Sequence, residues 1–426
     1  MNGDGEQITD HPRPSAGSSM QRPKFRLAAF TSLTNRDFRW YWFGMLAAFN
    51  AMQMQMVARG WLVYTMTESA LALGLVTAGF GIPMLLFSLY GGAIADRVNK
   101  RNLLLVTRSG MFLVSLIITI LITFKMIALW HLMLASVVSG VFMSFNMPGR
   151  QAFVIELVGK DSLLNAIALN SMALNICRIG SPALAGVLLK IIGIPGVYWL
   201  VTISSIAVVF SLWMIPPGKP MSVRPNTPYL IDVVNGLRYV RGNTIILVLL
   251  IIGFVVILTA MPYQLLMPVF AKTIFKAGET GLGFLMSAVG VGALTGTTLL
   301  ASFGDFQHKG ILGFAVGIIF SVCLILFSFS GSIHLAAFFL VFVGGGSSMY
   351  MTLNNTLIMS NTPEELIGRV MSVNMMTFGL MPLAMLPAGA LAEIIGAPIT
   401  VAGGGVLLIL FLIGVALFQP QILSLK

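Results

Sequence analysis

The sequence predicts an all-α integral membrane protein with twelve transmembrane helices in two pseudo-symmetric six-helix bundles. Three observations carry that prediction. Of 426 residues, 57% are hydrophobic and 9% charged, with a mean hydropathy of +0.93; a soluble domain has about 25% charged residues. The apolar residues gather into runs of about twenty, the length that about 30 Å of hydrocarbon requires at 1.5 Å per residue. The longest polar interval after the N-terminal tail falls near mid-chain and leaves six runs on each side. Lipid offers no partner to an open backbone, so the spans must be helical. This composition excludes a cytosolic enzyme, a disulfide scaffold and a disordered chain.

Residues 1–35 are polar and rich in Gly, Pro and Ser, and read as a flexible cytoplasmic tail without the apolar core of a cleaved signal peptide. The first bundle, 36–216, holds spans at 38–66, 69–94, 103–125, 129–156, 163–193 and 196–216. Residues 217–243 form a cytoplasmic linker. It opens Pro-rich and continues as an amphipathic segment, Tyr229 to Arg241, with Leu230, Val233, Val234 and Leu237 on one face; such a helix lies along a membrane surface. The second bundle, 244–426, holds spans at 244–270, 280–303, 311–330, 333–360, 366–395 and 398–418. Pro262 and Pro268 predict bends in the seventh span.

Orientation follows from the basic residues. With both termini placed inside, 19 of the 25 Lys and Arg fall on the cytoplasmic side and only Lys125, Lys190, Lys272 and Lys276 on the outer side. This asymmetry accounts for the net charge of +11 through topology and anionic headgroups, without nucleic acid. Compact loops and the lack of a targeting signal point to a bacterial inner membrane, with the chain working as a monomer. Cys177 and Cys323 lie in apolar runs, and His11, His131, His308 and His334 are scattered, so neither residue type has metal-ligand spacing. No metal, no cofactor and no catalytic constellation is expected.

After the second span comes GGAIADRVNKR, with Gly92, Asp96, Arg97, Lys100 and Arg101. Gly92 is expected to let helices approach closely; Asp96 is placed to pair or to take N–H groups from a neighbouring helix. The spacing returns after the eighth span in ASFGDFQHKG, where Ala301, Asp305 and Lys309 match Gly92, Asp96 and Lys100. A longer echo links SFNMPGRQAFVIELVGKDSLLNAIALN to MYMTLNNTLIMSNTPEELIGRVMSVN, six spans apart. Such repeats mark a duplicated transporter.

GGAIADRVNKR resembles the loop 2–3 signature of the major facilitator superfamily, and the resemblance covers about residues 30–420. NRDFRWYW before the first span, WLVYTMTESALALGL across the first two and PEELIGRVMS before the eleventh resemble its multidrug and siderophore exporter branch, of the enterobactin-exporter type. The resemblance implies alternating access between two rocking bundles around a cavity lined mostly by helices one, four, seven and ten. It implies gating roles for Asp96, Arg97 and Arg101, which latch the cytoplasmic side of the outward-facing state. RIGSPALAG in the fifth span, with Gly180, Pro182 and Gly186, resembles an exporter-associated G-P-x-x-x-G pattern but departs from it by the interposed Ser181. The same residues also suit plain small-residue packing with a proline kink.

A charge at bilayer depth costs about 2.5–3.5 kcal/mol on insertion scales, so Arg59, Arg150 and Arg178 are candidate substrate contacts. Internal salt bridges would equally explain them, and Arg59 could snorkel to the interface. Ser171, Asn175, Arg178 and Pro182 form one helical stripe. Asn50 and Gln53 share one face of the first span, Gln55 and Arg59 another, and the sequence leaves open which lines the cavity. Tyr263 and Asn354, with Thr259, Gln264, Tyr350 and Asn355, are uncharged candidates in the second bundle. No acid lies at mid-span; Asp37, Glu156 and Glu393 are the candidates for proton coupling. Arginines without interior acids suit an anionic substrate. Three readings follow. The first is an exporter of small amphiphilic molecules, drug-like or siderophore-like, with proton-coupled antiport; no ATP-binding motif is present. The second is an importer or facilitator of an organic anion. The third is a non-transporting membrane sensor of the same fold, which would not need the gating residues.

Overall fold

The computed structural model describes residues 32–159, 162–216, 237–303 and 308–425, without the side chains of residues 89, 93, 96, 372 and 375–379. Residues 1–31 of the tail, 217–236 of the linker and Asp305 therefore lie outside the described residues. Of the predicted surface helix, residues 237–241 are seen, and they are helical.

Helix starts follow the sequence chemistry. Asn35 opens α1 (Arg36–Thr67) by accepting from the amides of Asp37 and Phe38. Ser69 caps α2 (Ala70–Arg97) and Asn99 caps α3 (Lys100–Thr123) in the same way. Then follow α4 (Leu129–Val158) and one helical run, Leu163–Trp213, interrupted at Gly193 with φ 69°. A side chain is strained at that φ, and glycine is not. The limb before Gly193 is α5 and the limb after it α6. Asn243 caps α7, the span Thr244–Ile274. This span comes in three pieces, Thr244–Thr259, Tyr263–Val269 and a π-helical Phe270–Ile274, with Pro262 and Pro268 at the joints. After it come α8 (Gly278–Ser302), α9 (Lys309–Ser328) and α10 (Ile333–Ser360), the last capped by Ser332. The eleventh crossing, α11, joins Glu364–Gly379 to Met381–Ile395; α12 is Ala397–Phe418.

Nine helical runs among the described residues are individually long and apolar enough to cross a bilayer. One of them, Leu163–Trp213, turns back at Gly193 and supplies two crossings. With α1 and α11 the total is twelve, six in each half of the chain.

Packing within the halves uses small residues and hydroxyls, as expected where apolar burial gives no preference for a neighbour over lipid. In the first half, Gly91 of α2 faces the Ser144 carbonyl of α4, and Gly140 faces Phe80. Ser115 and Thr119 of α3 bond Thr202 of α6 at 2.9 and 2.8 Å. In the second half, α8 and α10 meet along Gly292, Gly296, Gly344 and Gly345. Large exposed apolar side chains, such as Ile191 and Leu417, face outward, and Trp130 and Trp213 lie near helix ends as an aromatic belt would require.

The bundle has two ends. One carries the α2–α3 turn, Trp213 and the C-terminal segment, which Leu425 ties to Gly310; it is called the basic end here. The other carries the α1–α2 turn, Gly193 and Gly396, and is called the far end.

Candidate functional site

The halves meet along α5 with α8 and along α2 with α11, and the close approaches lie toward the far end. A Cβ on Gly186 would stand 2.7 Å from the Glu279 carbonyl oxygen and 2.9 Å from Gly283 Cα; one on Gly290 would stand 2.7 Å from the Arg178 carbonyl oxygen. On the other side, Gly74 lies against Met385 and Leu386, Gly81 against Pro382, and Gly389 against Ala70. Polar contacts finish the seal. Tyr64 Oη and Thr273 Oγ1 are 2.7 Å apart, and Lys272 Nζ donates to Glu68 at 2.9 Å. One carboxylate oxygen of Glu393 accepts from Ser69 Oγ, the Ala70 amide and the Leu71 amide at 3.0, 2.8 and 3.3 Å. Glu393 thus caps the N-terminus of α2 from the opposite half, where an anion meets both unpaired amides and the helix dipole. The Lys272 hydrogen bond, then its charge, holds the Glu68 carboxyl below the ordinary carboxylate range.

Toward the basic end the same stripes part. On α5, Ser171, Ala168 and Leu164 are exposed; on α8, Leu294, Thr298 and Ala301 are. The protein is closed at the far end and open at the basic end.

Between the halves lies a cavity of 260 Å³ reached by Gln53 and Met56 of α1, Arg178 of α5, Gln264 of α7 and Met286 of α8. Met56, Gln264 and Met286 also line a smaller space of 140 Å³ farther toward the far end, where Arg59 stands. The two spaces share these three side chains as walls. Neither Arg178 nor Arg59 makes an ion pair or hydrogen bond among the described residues. Tyr198 lies within electrostatic reach of Arg59, and its buried hydroxyl is unpartnered. The cavity therefore presents positive charge without a fixed counter-charge, between methionine walls that adapt to varied shapes.

The structure distributes the other predicted residues. On the first polar face of α1, Gln53 lines the cavity, whereas Asn50 accepts from Ser181 at 2.6 Å and joins α1 to α5. Ser181, the departure from the helix-five pattern, is thus an internal tether. Pro182 lines the cavity and presents its carbonyl to Gly283, Gly186 meets α8, and Gly180 has open space beside it. Arg150 and Ser171 line a separate pocket in the first half. Asn175 is half-buried on the α5 stripe. Tyr263 is buried, with the Gln264 amide on its hydroxyl at 3.3 Å. Asn354 lines a tight space of 10 Å³ beside Asn355 and Asn374.

The predicted close approach at Gly92 needs correcting. Nothing stands within 4 Å of a Cβ there, and the contact with α4 is made by Gly91, one residue or about 100° around the helix. Arg97 is exposed and Lys100 buried. Arg101 donates to the carbonyls of Leu212 and Trp213 at 3.2 and 2.8 Å, capping α6 within its own half. Asp96 ends α2 in backbone position. Asp37 sits in the first turn of α1, and one buried oxygen of Glu156 has no hydrogen-bond partner. Two participants escaped the sequence reading. Arg108, inside the predicted third span but given no role by the sequence, lies in α3 within electrostatic reach of Arg150 and Tyr41. Tyr41 was quoted in a motif without a role.

Residues 27–423 match the family described as transmembrane secretion effector. The chain is 26% identical over 352 residues to the staphyloferrin A transporter of Staphylococcus aureus (strain NCTC 8325 / PS 47), covering 80% of this chain and 85% of that protein. It is 24% identical over 369 residues to the enterobactin exporter EntS of Shigella dysenteriae serotype 1 (strain Sd197), covering 82% and 80%. A crystal structure of a POT family transporter bound to a thioalcohol-conjugated peptide superposes with a TM-score of 0.73 at 13% identity, over 91% of this chain and 96% of that one. At that identity the likeness is one of fold.

Proposed function

The chain belongs to the transmembrane secretion effector family, a branch of the major facilitator superfamily, and on that premise we propose that it exports small amphiphilic organic anions by alternating access. It is a multi-pass membrane transporter and not an enzyme. The observation that carries the substrate class is the cavity between the halves, where Arg178 and Arg59 stand without an acidic partner beside Gln53, Gln264 and methionine walls. An uncompensated guanidinium in an apolar setting favours a carboxylate or phosphate that brings the counter-charge and leaves with it. The methionine walls suit a drug-like or siderophore-like body of variable shape.

In this reading the basic end is cytoplasmic, as the lysine and arginine distribution favours, and the open vestibule collects substrate there. Closure would bring the α2–α3 turn, with Asp96, Arg97 and Arg101, against the second half while the far-end contacts part. Transport would be driven by proton antiport, with the chain acting as a monomer in a bacterial inner membrane. Glu156 is the acid best placed for proton exchange, since its buried oxygen has no partner.

The test is uptake into proteoliposomes of matched anionic and cationic fluorescent amphiphiles, with and without an imposed pH gradient. Concentrative, gradient-driven movement of the anions supports the exporter. Movement of anions that only equilibrates, indifferent to the gradient, favours the facilitator, which the same arginines accommodate.

A further inference from the structure

A second pocket lies wholly within the first half at the basic end, between α1, α4 and α5, with a volume of 430 Å³. Its polar lining comes from Tyr41, Arg150, Gln151, Asn170 and Ser171. We propose that it is an anion subsite, which takes the carboxylate or phosphate head of an amphiphile before that group passes to Arg178. The inference deepens the transport reading and rests on it for the identity of the ligand.

Four observations converge on an anion. Arg150 makes no ion pair or hydrogen bond among the described residues; its guanidinium sits 5.5 Å from the centroid of the Phe49 ring, which steadies the fork and leaves its N–H groups unused. The Tyr41 hydroxyl is buried in the same wall without a partner, free to donate to an anion, and a hydroxyl so placed normally has a partner. Arg108 adds a second positive charge. Arg150 and Arg108 both act electrostatically on Tyr41, and Arg150 also acts on Arg108. Two arginines that repel each other are most readily reconciled by a nearby anion.

The internal repeat sharpens the argument. Matching the two halves by the echo in their fourth and fifth helices sets Asn354 where Arg150 stands and Asn374 where Asn170 stands. There the second half has closed the space to 10 Å³, and Asn374 donates to Asn355 at 2.8 Å. One copy of the duplicated pocket is packed and carries no charge; the other is open and lined by Arg150, with Arg108 within electrostatic reach. Leu174 lines both this pocket and the central cavity, so an anion leaving Arg150 reaches Arg178 one turn farther along α5.

Binding is measured with the full chain in phosphatidylcholine nanodiscs, titrated with citrate and with inorganic phosphate in the Arg59→Gln, Arg178→Gln background, which removes both arginines of the central cavity. Intrinsic tryptophan fluorescence serves as readout, because Trp42 donates to the Leu169 carbonyl next to Asn170. The proposal expects a saturable response to at least one anion, weakened about tenfold or more by Arg150→Gln or Arg108→Gln, as loss of a charge-assisted bond implies. Tyr41→Phe, which keeps the shape, weakens it severalfold. Repeating the titration in discs containing phosphatidylglycerol separates the sources: competition assigns the pocket to a lipid headgroup, its absence to a soluble amphiphile, and either supports the anion site. A response equally strong in correctly folded Arg108→Gln and Arg150→Gln proteins, or none with either anion, overturns it. Absence of transport by the parent protein, with anion binding at this pocket intact, would count against the exporter reading alone.

Discussion

Replacing Glu393 by Ala tests how the far end is held shut. One oxygen of that carboxylate receives three hydrogen bonds at the first turn of α2, from the Ser69 hydroxyl and the Ala70 and Leu71 amides. Removing an N-cap side chain costs about 0.5–2 kcal/mol, and an exposed anion at a helix N-terminus contributes about 0.3–1 kcal/mol. These figures overlap, and water can replace part of the loss at an exposed carboxylate. A net loss of about 1–2 kcal/mol is expected, which lowers the ratio of closed to open far ends by a factor of about 5–30. Glu393→Gln keeps an acceptor oxygen and should lose about half as much. The assay is electron-spin distance measurement between labels at Met126 and Phe329, exposed far-end positions in opposite halves, after replacement of Cys177 and Cys323. The longer-distance population should grow in the order parent, Glu393→Gln, Glu393→Ala. Identical distance distributions in all three would refute the assignment of Glu393 as a latch.

Three further perturbations follow from the same geometry. Gly186→Val places side-chain atoms against the backbone of Glu279 and Gly283; overpacking of about 1–3 kcal/mol should widen the far end by the same spin measurement. The Glu68 carboxyl is lowered by Lys272, so its contribution to far-end closure is present above the ordinary carboxylate value of about 4.3 and is lost as the pH falls through the lowered value. The closed population should therefore hold steady near neutrality and drop only in acid, with added salt weakening it; Lys272→Met should remove the acid-dependent part. Arg101→Ala removes two bonds to the last carbonyls of α6 and should cost about 1–2 kcal/mol, read as a lower midpoint of thermal unfolding in detergent.

Much of the fold is legible because bilayer thickness fixes helix length. The run boundaries agree with the helices to within a few residues, and Asn35, Ser69, Asn99, Asn243 and Ser332 begin helices as their side chains dictate. The bends near Pro262 and Pro268 were also readable from the chain. What the sequence does not carry is azimuth and partner. Gly91 and Gly92 differ by about 100° around one helix, and only the neighbour decides which makes the contact. Glu393 reads as a loose acid until α2, more than three hundred residues earlier, brings its N-terminus alongside. Arg108 counts toward the cytoplasmic charge although the predicted span 103–125 contains it, and its neighbours Arg150 and Tyr41 come from other helices. The polar stripe of α5 was plain from spacing, yet its division between a central cavity at Arg178 and a second pocket at Ser171 depends on α1 and α4.

The account stands on the claim that the uncompensated positive charge of the central cavity selects the substrate. The most direct measurement is the initial rate of transport in proteoliposomes for an anionic amphiphile and its cationic counterpart of the same shape, in the parent protein and in Arg178→Gln. The account predicts a preference for the anion of about tenfold or more, reduced about tenfold by the substitution while the protein stays folded and the cation rate holds or rises. Equal rates for anion and cation in the parent protein, or a preference untouched by Arg178→Gln, would contradict it.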